Sequence, residues 1–94
     1  MIKTNTDTPR KPNNEAPRLA REPEAIRRAG DMSKTTFRDL IRAGLMPPPG
    51  RLGARCTAWV IQEIDAVNRA RIAGKSDDEV AALVRELVAL RAAG

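Results

Sequence analysis

Glycine closes both ends of the stretch Gly30-Asp31-Met32-Ser33-Lys34-Thr35-Thr36-Phe37-Arg38-Asp39-Leu40-Ile41-Arg42-Ala43-Gly44, and the residues between fit one short helix. Gly30 permits the positive φ that a tight interhelical turn often needs. Ser33 stands just before a run of helical apolar spacing, where an N-cap hydroxyl is expected. Gly44 comes after the last periodic turn, where helices commonly stop. A first helix from Glu22 to Ala29 precedes the turn, and Pro23 suits its first turn because no backbone N–H is missed there. Two short helices joined by a glycine turn predict a helix-turn-helix.

The prolines decide the next segment. Met46-Pro47-Pro48-Pro49-Gly50 cannot be helical and imposes extended geometry. Gly50 to Trp59 then predicts a short hairpin that turns at Gly53-Ala54. A third helix is expected from Ile61 to Ile72, with Ile61, Ile64, Val67 and Ile72 as an imperfect apolar face. Gly74 interrupts it. Ser76-Asp77-Asp78-Glu79 has the capping-box pattern and opens a fourth helix to about Ala92. The expected fold class is mainly α with a small β-hairpin and an additional C-terminal helix. The expected organisation is a tail over 1–18, a domain over 19–73 and an amphipathic helix over 74–94.

Charge narrows the function classes. The 94 residues carry 17 Lys and Arg against 12 Asp and Glu, a net of +5, which favours a polyanionic partner. The tail 1–18 and the segment 19–59 hold the excess, whereas 60–94 is nearly neutral. The tail is polar and proline-containing, so it is expected to be disordered, as a basic arm on DNA or as a plain solvated tail. It does not resemble a signal peptide, and no run is apolar enough to span a membrane, so a cytoplasmic protein is expected. Histidine and tyrosine are absent and Cys56 is the single cysteine. A Cys/His zinc site, histidine acid–base chemistry and a Ser-His-Asp triad therefore cannot be built. No Gly-rich phosphate loop is present. The acidic groups Glu22/Glu24 and Asp77/Asp78/Glu79 fall at helix starts, where they complement the helix dipole. No catalytic residue, cofactor or metal site is expected, and the chain reads as a binding protein rather than an enzyme.

The second helix supplies the candidate contact surface. At about 100° per residue with Phe37 at zero, Leu40 and Ile41 share its apolar side, and Thr35, Arg38, Asp39 and Arg42 fall opposite. Two arginines beside a short hydroxyl suit guanine edges and phosphates in a DNA groove, although every amphipathic helix has a solvated face. Asp39 either accepts from cytosine N4 or orients Arg42 three residues on. Ser33, Lys34 and Thr36 complete the candidate set at the helix start. Arg51 and Arg55 flank the expected hairpin tip and make it a candidate wing along the DNA backbone.

These residues carry a resemblance. Gly30-x-x-Ser33-Lys34-Thr35-Thr36-Phe37, Leu40-Ile41, Gly44, Pro47-x-Pro49-x-Arg51-Leu52-Gly53-x-Arg55, Trp59 and Glu63-Ile64-Asp65 resemble the AlpA and excisionase family. The likeness covers Leu19 to about Arg71. It implies a winged helix-turn-helix of MerR-like type and small DNA-binding proteins of prophages and integrative elements. Many members bind and bend attachment-site DNA and turn an integrase toward excision, and others regulate transcription. Double-stranded DNA and a site-specific integrase are the implied partners. Three positions depart from the family: Arg38-Asp39 stands where a Tyr-Arg pair is frequent, Gly50 replaces an apolar residue, and Val67 replaces an aromatic.

The fourth helix lies beyond the family domain. Val80, Leu83, Val84, Leu87 and Leu90 form a wide apolar stripe that must pack on its own domain or on another protomer. Self-association, twofold or head-to-tail along DNA, is the expectation that fits excision. A regulator without a role in excision is the near alternative. A protein-interaction module such as an antitoxin, with the last helix doing the work, is the more distant one.

Overall fold

The computed structural model describes residues 18–93. The elements are β1 (Leu19–Ala20), α1 (Glu22–Arg28), α2 (Lys34–Arg42), β2 (Gly50–Arg51), β3 (Thr57–Val60), α3 (Ile61–Ile72) and α4 (Asp77–Ala93). The fold is mainly helical with one small antiparallel sheet of order β1-β3-β2. The expected tail lies outside the described residues except for Arg18. Its carbonyl accepts from Ile61 N at 2.8 Å and its N–H donates to Gln62 Oε1 at 3.0 Å.

Local chemistry sets the helix boundaries. Ser33 is the N-cap of α2, and its Oγ accepts from Thr36 N at 3.1 Å. The turn before it uses two positive φ values, +123° at Gly30 and +60° at Asp31. An aspartate tolerates that conformation better than most side chains. The capping box at α4 is complete: Ser76 N donates to Glu79 Oε1 at 2.8 Å and Glu79 N donates to Ser76 Oγ at 3.2 Å. These bonds hold the Glu79 carboxyl below its ordinary range, the backbone N–H of Ser76 contributing most.

The sheet is larger than the expected hairpin. β3 pairs with β2 through Gly50↔Ala58 and Arg51↔Thr57, and with β1 through Leu19↔Val60 and Ala20↔Trp59. The hairpin closes with Leu52 N donating to Cys56 O at 2.7 Å. Its tip therefore spans Gly53 to Arg55, wider than a turn at Gly53-Ala54. Arg55 belongs to the tip and does not flank it.

One core unites all four helices and the sheet. Ala25 and Ile26 of α1, Phe37 of α2, Met46, Trp59, Ile64 and Val67 of α3, and Val80 and Val84 of α4 form a buried cluster. Phe37 and Trp59 meet at 5.5 Å between centroids and 51° between planes. A tilted aromatic pair of this kind adds about 0.5–1.5 kcal/mol beyond its burial. The apolar face of α3 is Ile61, Ile64 and Val67, whereas Ile72 in its last turn is exposed.

Helix α4 resolves the question its stripe posed. Val80 and Val84 lie in the core of their own chain, and Leu83, Leu87 and Val88 pack against it. Of the five residues expected to serve oligomerisation, only Leu90 is left largely in solvent, at 57 % exposure. The physical reason is that α3 already exposes an apolar surface that needs a cover, and α4 supplies it within the protomer. An ion pair fastens the far end of this helix. Glu63, 6 % exposed, is the one buried charged residue among those described. Arg91 donates its Nε to Glu63 Oε2 at 2.9 Å, and its Nη2 to Glu63 Oε1 at 2.5 Å and to Pro48 O at 2.7 Å.

Candidate nucleic-acid interface

The buried side of α2 orients its polar side. Phe37 is fully buried, and Leu40 and Ile41 pack against the core. Thr35, Arg38, Asp39 and Arg42 are consequently exposed. Lys34 is exposed at the helix start. Ser33 and Thr36 are exposed too, but their hydroxyls serve the cap, with Ser33 Oγ donating to Thr36 Oγ1 at 3.0 Å. The candidate set thus divides into side chains committed to the fold and side chains presented outward.

Both arginines of α2 are held by carboxylates. Arg38 donates Nε to Glu22 Oε2 and Nη2 to Glu22 Oε1, each at 2.9 Å, in a bidentate fork between α1 and α2. The fork holds the Glu22 carboxyl below its ordinary range, helped by the charges of Arg38 and Lys34. Arg42 donates to Asp39 Oδ1 at 2.6 Å, so Asp39 orients Arg42 as its spacing allowed. A guanidinium carries five N–H donors in a planar fork, so a carboxylate on one edge leaves others for a ligand. These pairs fix the aim of the two cations without burying them.

The hairpin brings its own arginines. Arg51 Nη2 donates to Ala54 O at 3.3 Å across the tip, and Arg55 is exposed beside it. Arg55 and Arg38 come together at a recess of about 540 Å³, where Arg21, Glu22, Thr57 and Trp59 also line the walls. Sequence periodicity places Arg38 and Arg55 on separate elements. The fold joins them because β3, which carries Trp59 against Phe37, holds the hairpin beside α2.

Two participants escape a reading of the sequence. Arg21 stands before α1 in extended backbone, outside any periodic pattern. Glu22 has the position of a dipole-complementing residue, yet its partner is Arg38, sixteen positions on. Arg28 likewise pins α1 to α3 by donating Nε and Nη2 to Asp65 at 2.8 and 2.9 Å, which lowers the Asp65 carboxyl. Cys56 is half-buried at the hairpin. Among the described residues no helix is long and apolar enough to cross a membrane.

No family model matches the chain, and no solved structure matches it with significant similarity. It is similar to uncharacterized protein ORF88 of Enterobacteria phage P4, with 40% identity over 58 residues. That alignment covers 62% of this chain and 65% of the phage protein, so the chain spans somewhat less than two thirds of that relative's length.

Proposed function

We propose that this protein is a sequence-specific DNA-binding protein of winged helix-turn-helix type, with α2 in the major groove and the β2–β3 hairpin as the wing. The observation that carries this reading is the meeting of Arg38 from α2 with Arg55 from the hairpin at one recess. Two basic elements that converge can track one duplex: α2 reads base edges and the hairpin contacts phosphates. Thr35, Arg38 and Arg42 are the reading residues, with Lys34, Arg51 and Arg55 on the backbone. The reading gives α4 a structural task, which argues against a module whose last helix captures a protein.

Within this class the role we propose is that of an excisionase, a recombination directionality factor that binds and bends attachment-site DNA for a site-specific integrase. The family resemblance of residues 19–71 and the similarity to a phage protein support it. Such a protein works in the cytoplasm, on the nucleoid when bound. Self-association along DNA then uses surfaces other than the buried part of α4. The test is a mobility shift with genomic fragments around an element's attachment site, repeated across a salt series. Binding confined to attachment-site fragments and weakening steeply with salt is expected. Salt-insensitive binding, or none, overturns the DNA reading. Binding to promoter fragments alone would assign the protein to regulation without excision.

A further inference from the structure

We propose that the recess between α1, α2 and the hairpin is the seat of a single DNA backbone phosphate, held by Arg21 and Arg55 with Arg38 at its wall. The inference rests on the DNA-binding reading and deepens it, because it adds a contact that neither a groove helix nor a wing tip provides alone.

The charges of the recess decide its ligand. Arg21, Arg38 and Arg55 line it against one carboxylate, Glu22. Glu22 is engaged by Arg38 through both oxygens, so those two charges largely compensate each other. Arg21 and Arg55 have no ion pair or side-chain hydrogen bond among the described residues. The recess thus presents two uncompensated guanidinium groups, the residue type that recognises phosphate oxygens by paired N–H bonds. A second observation points the same way. Trp59, 6 % exposed and lining the recess, carries a buried Nε1–H without a hydrogen-bond partner among the described residues. An orphaned buried donor is uncommon and costly, and this one belongs to a residue of the recess wall.

The seat has a geometric consequence. Arg21 precedes α1 and Arg55 is at the hairpin tip, so one phosphate bridges the start of α1 and the hairpin, against the α2 wall that Arg38 forms. That contact fixes the register of the duplex against the protein, and the groove residues then meet a defined set of bases.

Trp59 makes the seat observable. The chain has one tryptophan and no tyrosine, so intrinsic fluorescence reports from the wall of the recess alone. The experiment titrates full-length protein with a duplex carrying its binding site, then with duplexes in which one phosphate at a time is replaced by a neutral methylphosphonate. Binding is monitored by Trp59 emission and by mobility shift. Arg21→Ala is the test variant, because Arg21 holds nothing else in the described fold, and Arg85→Ala on the exposed side of α4 is the control for simple loss of charge. Duplex is expected to shift Trp59 emission in step with binding. One methylphosphonate position should weaken wild-type binding about tenfold, the worth of one charge-assisted contact. At that position Arg21→Ala should show no further loss, whereas Arg85→Ala should behave as wild type. Inorganic phosphate is the second arm and should shift the emission only weakly.

The outcomes separate the two claims. If wild type binds duplex but every methylphosphonate costs Arg21→Ala as much as wild type, the seat is wrong and the DNA reading stands. Tight inorganic phosphate binding that duplex does not displace would assign the recess to free phosphate and overturn the proposal. Failure of wild type to bind any duplex would overturn both.

Discussion

The α2–hairpin side and the α3–α4 side of this small protein use the same kind of bond for opposite ends. On the first, Arg42 pairs with Asp39 while 69 % and 61 % of the two side chains remain exposed. On the second, Arg91 pairs with Glu63 at 27 % and 9 %. An exposed pair contributes about 0–1 kcal/mol and exchanges readily with water or a ligand. A buried pair resists exchange, because breaking it strands a desolvated charge at a cost of about 3–5 kcal/mol. The difference teaches where each arginine's task lies. Arg91 holds the chain together, whereas Arg38 and Arg42 are aimed but available.

The comparison breaks most visibly if α4 is removed. Truncation after Gly74 deletes Val80 and Val84 from the core and strips Glu63 of its partner. Each buried valine is worth about 1.5–3 kcal/mol, and the orphaned charge about 3–5 kcal/mol more. Together these match or exceed the roughly 5 kcal/mol that a domain of this size holds. The truncated chain should lose its cooperative melt in circular dichroism, and a melt at the full-length temperature would show that α4 is dispensable. Arg91→Met is the narrower version and should lower stability by about 3 kcal/mol in a urea titration. Adding Glu63→Leu should recover most of that loss, since the stranded charge goes with it.

On the other side the expected effects move from stability to binding. Arg38→Ala or Arg42→Ala should cost about 1–3 kcal/mol of specific DNA binding and much less stability, least for Arg42, whose partner Asp39 is itself exposed. Equal losses in both measurements would erase the contrast between the two regions. Replacing Arg51 and Arg55 together by alanine should weaken binding to all sequences alike. It should also flatten the salt dependence by about one to two units of slope. An unchanged slope removes the hairpin from the interface. The smallest effect is that of acid. Glu22, Asp65 and Glu79 each bind a proton more weakly in the folded chain than in the unfolded one. Their contribution is present above the ordinary carboxylate range and is lost as pH falls through their lowered folded values, below about pH 4. The urea midpoint should be flat at neutral pH and decline only in that acid window, and a decline that begins near pH 6 would contradict it.

How much of the fold is legible in the chain depends on how far apart the partners are. The Ser33 cap and the Ser76–Glu79 box relate residues three positions apart, so the sequence displays both partners at once. The outward face of α2 is legible for the same reason, because helical period fixes angle. Period does not say what lies across from a face. It draws the α4 stripe from Val80 to Leu87 and leaves open whether that stripe meets its own α3 or another protomer. It also places Ile72 near the apolar side of α3 without showing that nothing packs against the last turn. The forks Arg38–Glu22, Arg28–Asp65 and Arg91–Glu63 join residues sixteen to thirty-seven positions apart, and no local pattern marks them. Strand β1 has two residues, too few to show alternation.

That short strand has a consequence for the order of folding. The pairing of Leu19 with Val60 closes a loop that contains α1, α2 and the hairpin. Closing a loop of that length costs about 3 kcal/mol of chain entropy, offset by few hydrogen bonds and the burial of Ala20. Helix turns and the β2–β3 hairpin close over short distances and form sooner. Strand β1 is then the last piece to dock and the first to open. Amides of β1 should exchange with solvent by local fraying, whereas those of α3 exchange only when the whole domain unfolds.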